Sequence, residues 1–169
     1  TKLEIRHTNH RNACNYYFYQ LHMELKVGSL FSGIGGIDIA FKQAGFKISW
    51  AIDNDENCCC TYLHNFVDSQ ITPKDIRMIN PAELCKVDIL IAGFPCQSFS
   101  VAGKQKGFSD TRGHLFYEVE KFIQAYSPRF IFLENVPNLM EHDNGKTFNI
   151  VHNVLSKLDY SIRYRVLRA

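Results

Sequence analysis

The sequence has no run of about 18 consecutive apolar residues, the length a helix needs to cross a bilayer, so no membrane span is expected. Its opening stretch, TKLEIRHTNHRNACNYY, lacks the apolar core of a secretory signal, and export is not expected. It also lacks an excess of charge: 19 basic side chains against 17 acidic ones leave +2. Bulk charge therefore announces no nucleic-acid binder, and any phosphate contact must come from a local cluster. The six cysteines lack metal spacing, because Cys58, Cys59 and Cys60 are adjacent while Cys14, Cys85 and Cys96 stand apart, with no C-x-x-C pair. That pattern suits neither a disulfide framework nor a zinc site. It fits an intracellular protein with reduced thiols and no metal. Internal repeats and low-complexity tracts are missing as well. What is present is ordinary globular composition, 46% hydrophobic and 21% charged over 169 residues, enough for one domain with a hydrophobic core.

Residues 1–24 differ from the rest. They are rich in His, Asn and Tyr, show no helical or strand period, and hold the first methionine only at Met23. They are expected to be an irregular extension, a leader or upstream addition, ahead of the ordered domain over 25–169. From Leu25 strand and helix signals alternate, which predicts an α/β fold with a mostly parallel sheet and helices on both faces. Strands are expected at Leu25–Phe31, Lys47–Ile52, a short one near Ser69–Ile71, Val87–Ala92, Phe130–Leu133 and Tyr160–Leu167. Helices are expected at Gly35–Ala44 with Gly45 at its C-terminal cap, Glu56–Asn65, His114–Tyr126 stopped by Ser127-Pro128, and Thr147–Leu158. The run VDILIA is continuously apolar, as in a strand buried on both faces.

Six places along the chain carry candidate chemistry. The first strand runs into Phe31-Ser32-Gly33-Ile34-Gly35-Gly36 and then a helix. Glycines at such a turn let a ligand approach the backbone, and the helix start offers free N–H groups. The same pattern also serves tight packing alone. Asp53 comes about 20 residues later at the end of the second strand, where an acid binds ribose hydroxyls, or else caps the next helix together with Asp55 and Glu56. The spacing G-x-G-G, in place of G-x-G-x-x-G, tilts against a nicotinamide cofactor. Asp75 either presents its carboxylate to an adenine amino group or is a surface turn acid.

Gly93-Phe94-Pro95-Cys96-Gln97-Ser98-Phe99-Ser100 comes straight after the buried strand, and ligands of open α/β sheets bind outside the carboxyl ends of strands. Pro95 fixes the backbone before the Cys96 thiol. Gly103–Gly113 is a glycine-containing basic loop whose Lys104, Lys106 and Arg112 suit phosphates, or simply a solvated surface. Glu134-Asn135-Val136 ends another buried strand at the same rim, so Glu134 is either an acid for chemistry beside Cys96 or a cap.

These ordered motifs resemble the DNA cytosine carbon-5 methyltransferase family of the prokaryotic restriction–modification type, from Leu25 to Ala169. F-S-G-I-G-G is similar to its cofactor motif, G-F-P-C-Q to its nucleophile motif and E-N-V to its acid motif. Gly103–Gly113 with Leu115-Phe116 is similar to its lid and the segment after the lid. The resemblance implies a Rossmann-like fold that uses S-adenosylmethionine and releases S-adenosylhomocysteine. Phe31, Gly33, Gly35, Gly36, Asp53, Asp75, Ile76, Pro95 and Leu115 would hold that cofactor. Gln97, Ser100, Lys104, Lys106, Arg112 and Asn135 would face double-stranded DNA, whose target cytosine is flipped into a pocket. Cys96 would attack ring carbon 6, and Glu134 would contact ring nitrogen 3 and the amino group. The family's later segments, including its target-recognition region, lie beyond the match, so a second polypeptide supplying them is a further expected partner. Two alternatives stay open. One is a tRNA cytosine methyltransferase of the same fold, whose nucleophile motif often carries Pro where Gly93 stands. The other is an inactive fragment, whether one subunit of a split methyltransferase or a truncated, non-catalytic module that binds a partner protein.

Overall fold

The computed structural model of the protein describes residues 2–7, 25–95 and 115–167. Among the described residues, seven strands form one sheet: β1 (Lys2–His7), β2 (Lys26–Leu30), β3 (Lys47–Asp53), β4 (Ile71–Pro73), β5 (Ile89–Ala92), β6 (Phe130–Glu134) and β7 (Tyr160–Arg165). Their spatial order is β4-β3-β2-β5-β6-β1-β7. The pairs β2–β3, β3–β4, β2–β5 and β5–β6 are parallel. The helices are α1 (Gly36–Gln43), α2 (Glu56–Asn65), α3 (Leu115–Tyr126) and α4 (Lys146–Lys157). The expected α/β class is therefore found, and no helix among the described residues is long and apolar enough to cross a membrane.

Successive residues of a strand point to opposite faces, and here both faces are covered. Leu30, Trp50, Ile52, Leu90 and Ala92 join one core, packed by Phe116, Phe122 and Ile123 of α3 and Val151 and Leu155 of α4. Val27, Ile48, Ala51, Ile89 and Ile91 join the other, packed by Ile37 and Phe41 of α1 and Tyr62 of α2. The register slips between Val27 and Gly28. This bulge explains why Ile48 and Trp50, two residues apart, face opposite sides.

Trp50 fills the first core. It is 2% exposed, its indole N–H donates to the Cys85 carbonyl at 2.9 Å, and it sits against Phe122 and Tyr126. Its six-membered ring lies directly over Gly28, where a Cβ would come within 2.3 Å of it.

The chain's punctuation is local. Asp55 caps α2 by accepting the backbone N–H groups of Asn57 and Cys58. Gly45 takes the expected place after α1, with φ +89° and its N–H donating to the Lys42 carbonyl at 3.0 Å. Helix α3 ends at Tyr126, before Ser127 at φ 46° and Pro128.

The expectation of an irregular segment over 1–24 is corrected at its start. Lys2–His7 is a strand, antiparallel to both β6 and β7. Leu3 and Ile5 stand in register with Leu133 and Ile131 on one side and with Tyr164 and Ile162 on the other. A strand with a neighbour on each side gives its backbone N–H and C=O groups the partners they require. Two apolar positions in six residues, with a His- and Asn-rich tract after them, are too few to show a period. The sheet thus begins before residue 25, and residues 8–24 lie outside the described ones.

Candidate active site

The turn after β2 is built from unusual backbone. Phe31, Gly33 and Gly35 have φ of 54°, 54° and 91°. A left-handed Phe is uncommon and costs about 1–2 kcal/mol, so surrounding bonds must hold it. The Ser32 N–H donates to the Ile52 carbonyl at 3.1 Å, and the Gly35 N–H to the Ser32 carbonyl at 2.9 Å. The glycines divide their work. A Cβ at Gly35 would lie 2.3 Å from the Phe66 ring, so glycine is required there by packing. Among the described residues, a Cβ at Gly33 or Gly36 would meet nothing within 4 Å, so the described part of the structure leaves those two positions open.

Asp53 is joined to this turn. Its carboxylate accepts the Gly33 N–H at 2.7 Å through Oδ2 and the Asp55 N–H at 2.9 Å through Oδ1. Asp55 performs the capping, which leaves Asp53 to the loop. An ionised carboxylate has about four acceptor sites, so Asp53 retains lone pairs for hydroxyl donors. Cys59 lies just beyond, its thiol 3.6 Å from the Asp53 carbonyl, and burial pushes that thiol up to about 11. It is therefore a poor nucleophile at neutral pH.

Asp75 precedes a single 3-10 turn, Ile76–Met78. Its carboxylate accepts the backbone N–H of Arg77 at 2.9 Å and pairs with both the Nε and a terminal nitrogen of the Arg77 guanidinium. That pairing holds the carboxyl below its usual range. Of the two sequence expectations for Asp75, the turn acid describes its contacts. The Ile76 side chain is buried in the first core.

The second half of the rim is formed by β5 and β6. Gly93 sits where three segments converge: a Cβ built on it would lie 3.4 Å from Ile37 Cδ1, 3.6 Å from Glu134 Oε2 and 3.7 Å from the Phe31 carbonyl oxygen. The Glu134 carboxylate thus stands beside Gly93 and the end of the glycine turn. Phe94 is buried and packs on Phe116, whereas Pro95 is exposed. Asn135 is 5% exposed, and its side-chain amide donates to the Phe94 carbonyl at 2.6 Å. This strap fixes the segment leading to Cys96. Leu115 opens α3 and packs partly buried on the first core. Cys96, Gln97, Ser100, Lys104, Lys106 and Arg112 lie outside the described residues.

Three features escaped the sequence. Asn135 was expected to face substrate, and its bond to Phe94 has no signature beyond the E-N-V motif. Arg77 as partner of Asp75 was signalled only by its place two residues on. Asp38, buried under the turn, looks in sequence like any acid in the first turn of a helix.

The family model for C-5 cytosine-specific DNA methylase matches residues 25–169. The chain is 48% identical over 147 residues to the type II methyltransferase M.Bsp6I of Bacillus sp. (strain RFL6), covering 86% of this chain and 46% of that one. It is 43% identical over 144 residues to M.HaeII of Haemophilus aegyptius, covering 85% and 45%. A solved DNMT2 structure from Spodoptera frugiperda superposes with a TM-score of 0.65 at 26% identity, over 80% of this chain and 41% of that one. The chain therefore spans less than half the length of these relatives. Within that span, the chain belongs to the C-5 cytosine-specific DNA methylase family.

Proposed function

We propose that this chain is the front catalytic portion of a DNA (cytosine-5-)-methyltransferase of a restriction–modification system. The observation that carries the reading is the convergence at Gly93, where the Glu134 carboxylate and the Phe31 carbonyl flank the segment leading to Cys96. Family membership over 25–169 supports it. The open space at Gly33 and Gly36, beside a carboxylate with lone pairs to offer, fits S-adenosylmethionine: the helix start for its amino-acid end, Asp53 for its ribose hydroxyls. Bound there, it supplies an electrophilic methyl group.

The chain's own residues do the rest. Cys96, as thiolate, forms a bond to carbon 6 of a flipped cytosine. Glu134 hydrogen-bonds ring nitrogen 3 and the amino group, stabilising charge that builds on the ring as carbon 5 becomes nucleophilic. After methylation of carbon 5, loss of its proton to base breaks the Cys96–carbon 6 bond and restores the thiolate. Asn135 holds the strand ends that carry these two groups in register. Gln97, Ser100, Lys104, Lys106 and Arg112 are proposed to face double-stranded DNA. The segments that longer relatives carry are proposed to complete target recognition, in continuation or in a second polypeptide. Acting on DNA, the protein works in the cytoplasm, at the nucleoid in a prokaryote.

The test is covalent trapping on duplex DNA containing 5-fluorocytosine, with the chain joined to a relative's C-terminal portion. Cys96→Ala is expected to abolish trapping and Glu134→Gln to slow it. Trapping that persists in Cys96→Ala overturns the assignment. Methyl incorporation by the same completed protein into tRNA and not into DNA would select the tRNA alternative.

A further inference from the structure

A polar cluster under the glycine turn is unused by the chemistry above. Asp38, in the first turn of α1, is completely buried, with 0% exposure. Each of its carboxylate oxygens accepts one hydroxyl: Ser29 of β2 donates to Oδ2 at 3.0 Å, and Tyr62 of α2 donates to Oδ1 at 2.8 Å. Both donors are themselves buried. A carboxylate in an apolar layer is costly unless its oxygens are bonded, and burial raises its pKa above the ordinary value. Burial and the neighbouring Asp38 push the Tyr62 phenol far up, so it remains a protonated donor.

The placement of these bonds is specific. Ser29 stands just before the turn and Asp38 just after it, so their bond closes the Leu30–Ile37 segment at its two ends. The Tyr62 ring stacks on Phe66 with centroids 4.4 Å apart. Those two rings are the floor under Gly35, 3.1 Å and 2.3 Å from where its Cβ would be. One carboxylate thus anchors the turn's entrance, its exit and its floor. An ordinary core polar group would tie two elements together without enclosing a ligand loop.

Resting on the reading of this turn as the S-adenosylmethionine site, we propose that Asp38 is a positioning residue for that cofactor: with Ser29 and Tyr62 it clasps the glycine turn so that the open backbone at Gly33 and Gly36 stays aimed at the ligand.

The experiment uses the 169-residue chain and reads two quantities. One is amide hydrogen exchange over residues 31–37; the other is calorimetric affinity for S-adenosylhomocysteine. Tyr62→Phe keeps the ring stack and removes one donor, Ser29→Ala removes the other, and Asp38→Asn removes one acceptor. Val151→Ala, on the opposite face of the sheet, controls for general loss of stability. Losing one such bond is expected to speed exchange in the turn and to weaken binding by about fivefold to tenfold each. Val151→Ala should change neither, even when it lowers the melting temperature as much. Turn exchange at the wild-type rate in both Tyr62→Phe and Ser29→Ala overturns the proposal. So does acceleration spread evenly along the chain, as in the control. Local acceleration in a chain that never binds S-adenosylhomocysteine upholds the clasp and refutes the cofactor reading instead. Should Asp38→Asn fail to fold, the two donor variants decide alone.

Discussion

Replacing Gly28 by alanine adds one methyl group where the structure has no room for it. The new Cβ would stand 2.3, 2.5 and 2.7 Å from three atoms of the Trp50 ring. The indole cannot slide away freely, because it is 2% exposed, wedged against Phe122 and Tyr126, and held by its bond to the Cys85 carbonyl. Overpacking of this kind costs about 1–3 kcal/mol. If the ring turns to escape, the indole N–H loses its acceptor, at a further ~1–3 kcal/mol. Alanine recovers about 0.5–1 kcal/mol by restricting the unfolded chain. The net expectation is a destabilisation of about 1–5 kcal/mol. Trp50 is the only tryptophan, so its fluorescence reports the site directly. Urea titration followed by emission should show an earlier midpoint, with a red-shifted native spectrum if the ring is displaced. A double-mutant cycle with Trp50→Phe, followed by circular dichroism, should recover part of the loss, because the smaller ring vacates the contested space. A Gly28→Ala protein as stable as the wild type, or a cycle with no coupling, would refute the packing argument.

Further outcomes can be checked separately. Asn135→Ala removes the 2.6 Å strap to the Phe94 carbonyl; it should cost about 1 kcal/mol in urea unfolding and slow fluorocytosine trapping, and an unchanged trapping rate would show that the strap does not position Cys96. The Asp75 carboxyl, held low by Arg77, contributes stability that is present above the unfolded value of 3.8 and lost as pH falls through its lower folded value. Arg77→Ala should therefore lower stability slightly near neutral pH, as expected for a solvent-exposed pair, and this difference should shrink on acidification; urea titrations across the acid range would expose a difference that instead stays constant. Removing residues 1–7 leaves β7 without a described strand neighbour, so the amides of Tyr160–Arg165 should lose exchange protection, and protection that survives the deletion would show that β1 is dispensable to the sheet.

Most of the fold could be read from hydrophobic pattern because each central element has a strong local signal. Helix Glu56–Asn65 was placed to the residue, since Asp55 caps it and β3 ends just before. The strand ILIA is buried at all four positions, and its run of apolar residues said so. The short edge strand lies at Ile71–Pro73, two residues later than expected. Its bounds depend on pairing with Ala51 to Asp53, which no local pattern encodes. β1 escaped for the same reason: its partners come from residues 130–165. At the site, the glycine turn, Asp53 and Glu134 announce themselves through type and position at strand ends. Side-chain bonds between distant segments do not. Asn135 to Phe94 spans 41 residues and Tyr62 to Asp38 spans 24, so these contacts exist only once the sheet is assembled.

The insertion of β1 between β6 and β7 also bears on how this protein is made. Its six residues leave the ribosome long before the two edges that bond them. Until Arg165 emerges, that stretch lacks one of its native mates, and closing such a long loop is entropically slow. The nascent chain would then carry an unpaired, sticky strand while the rest of the sheet is synthesised, which is the stage at which a chaperone holding that strand would matter most.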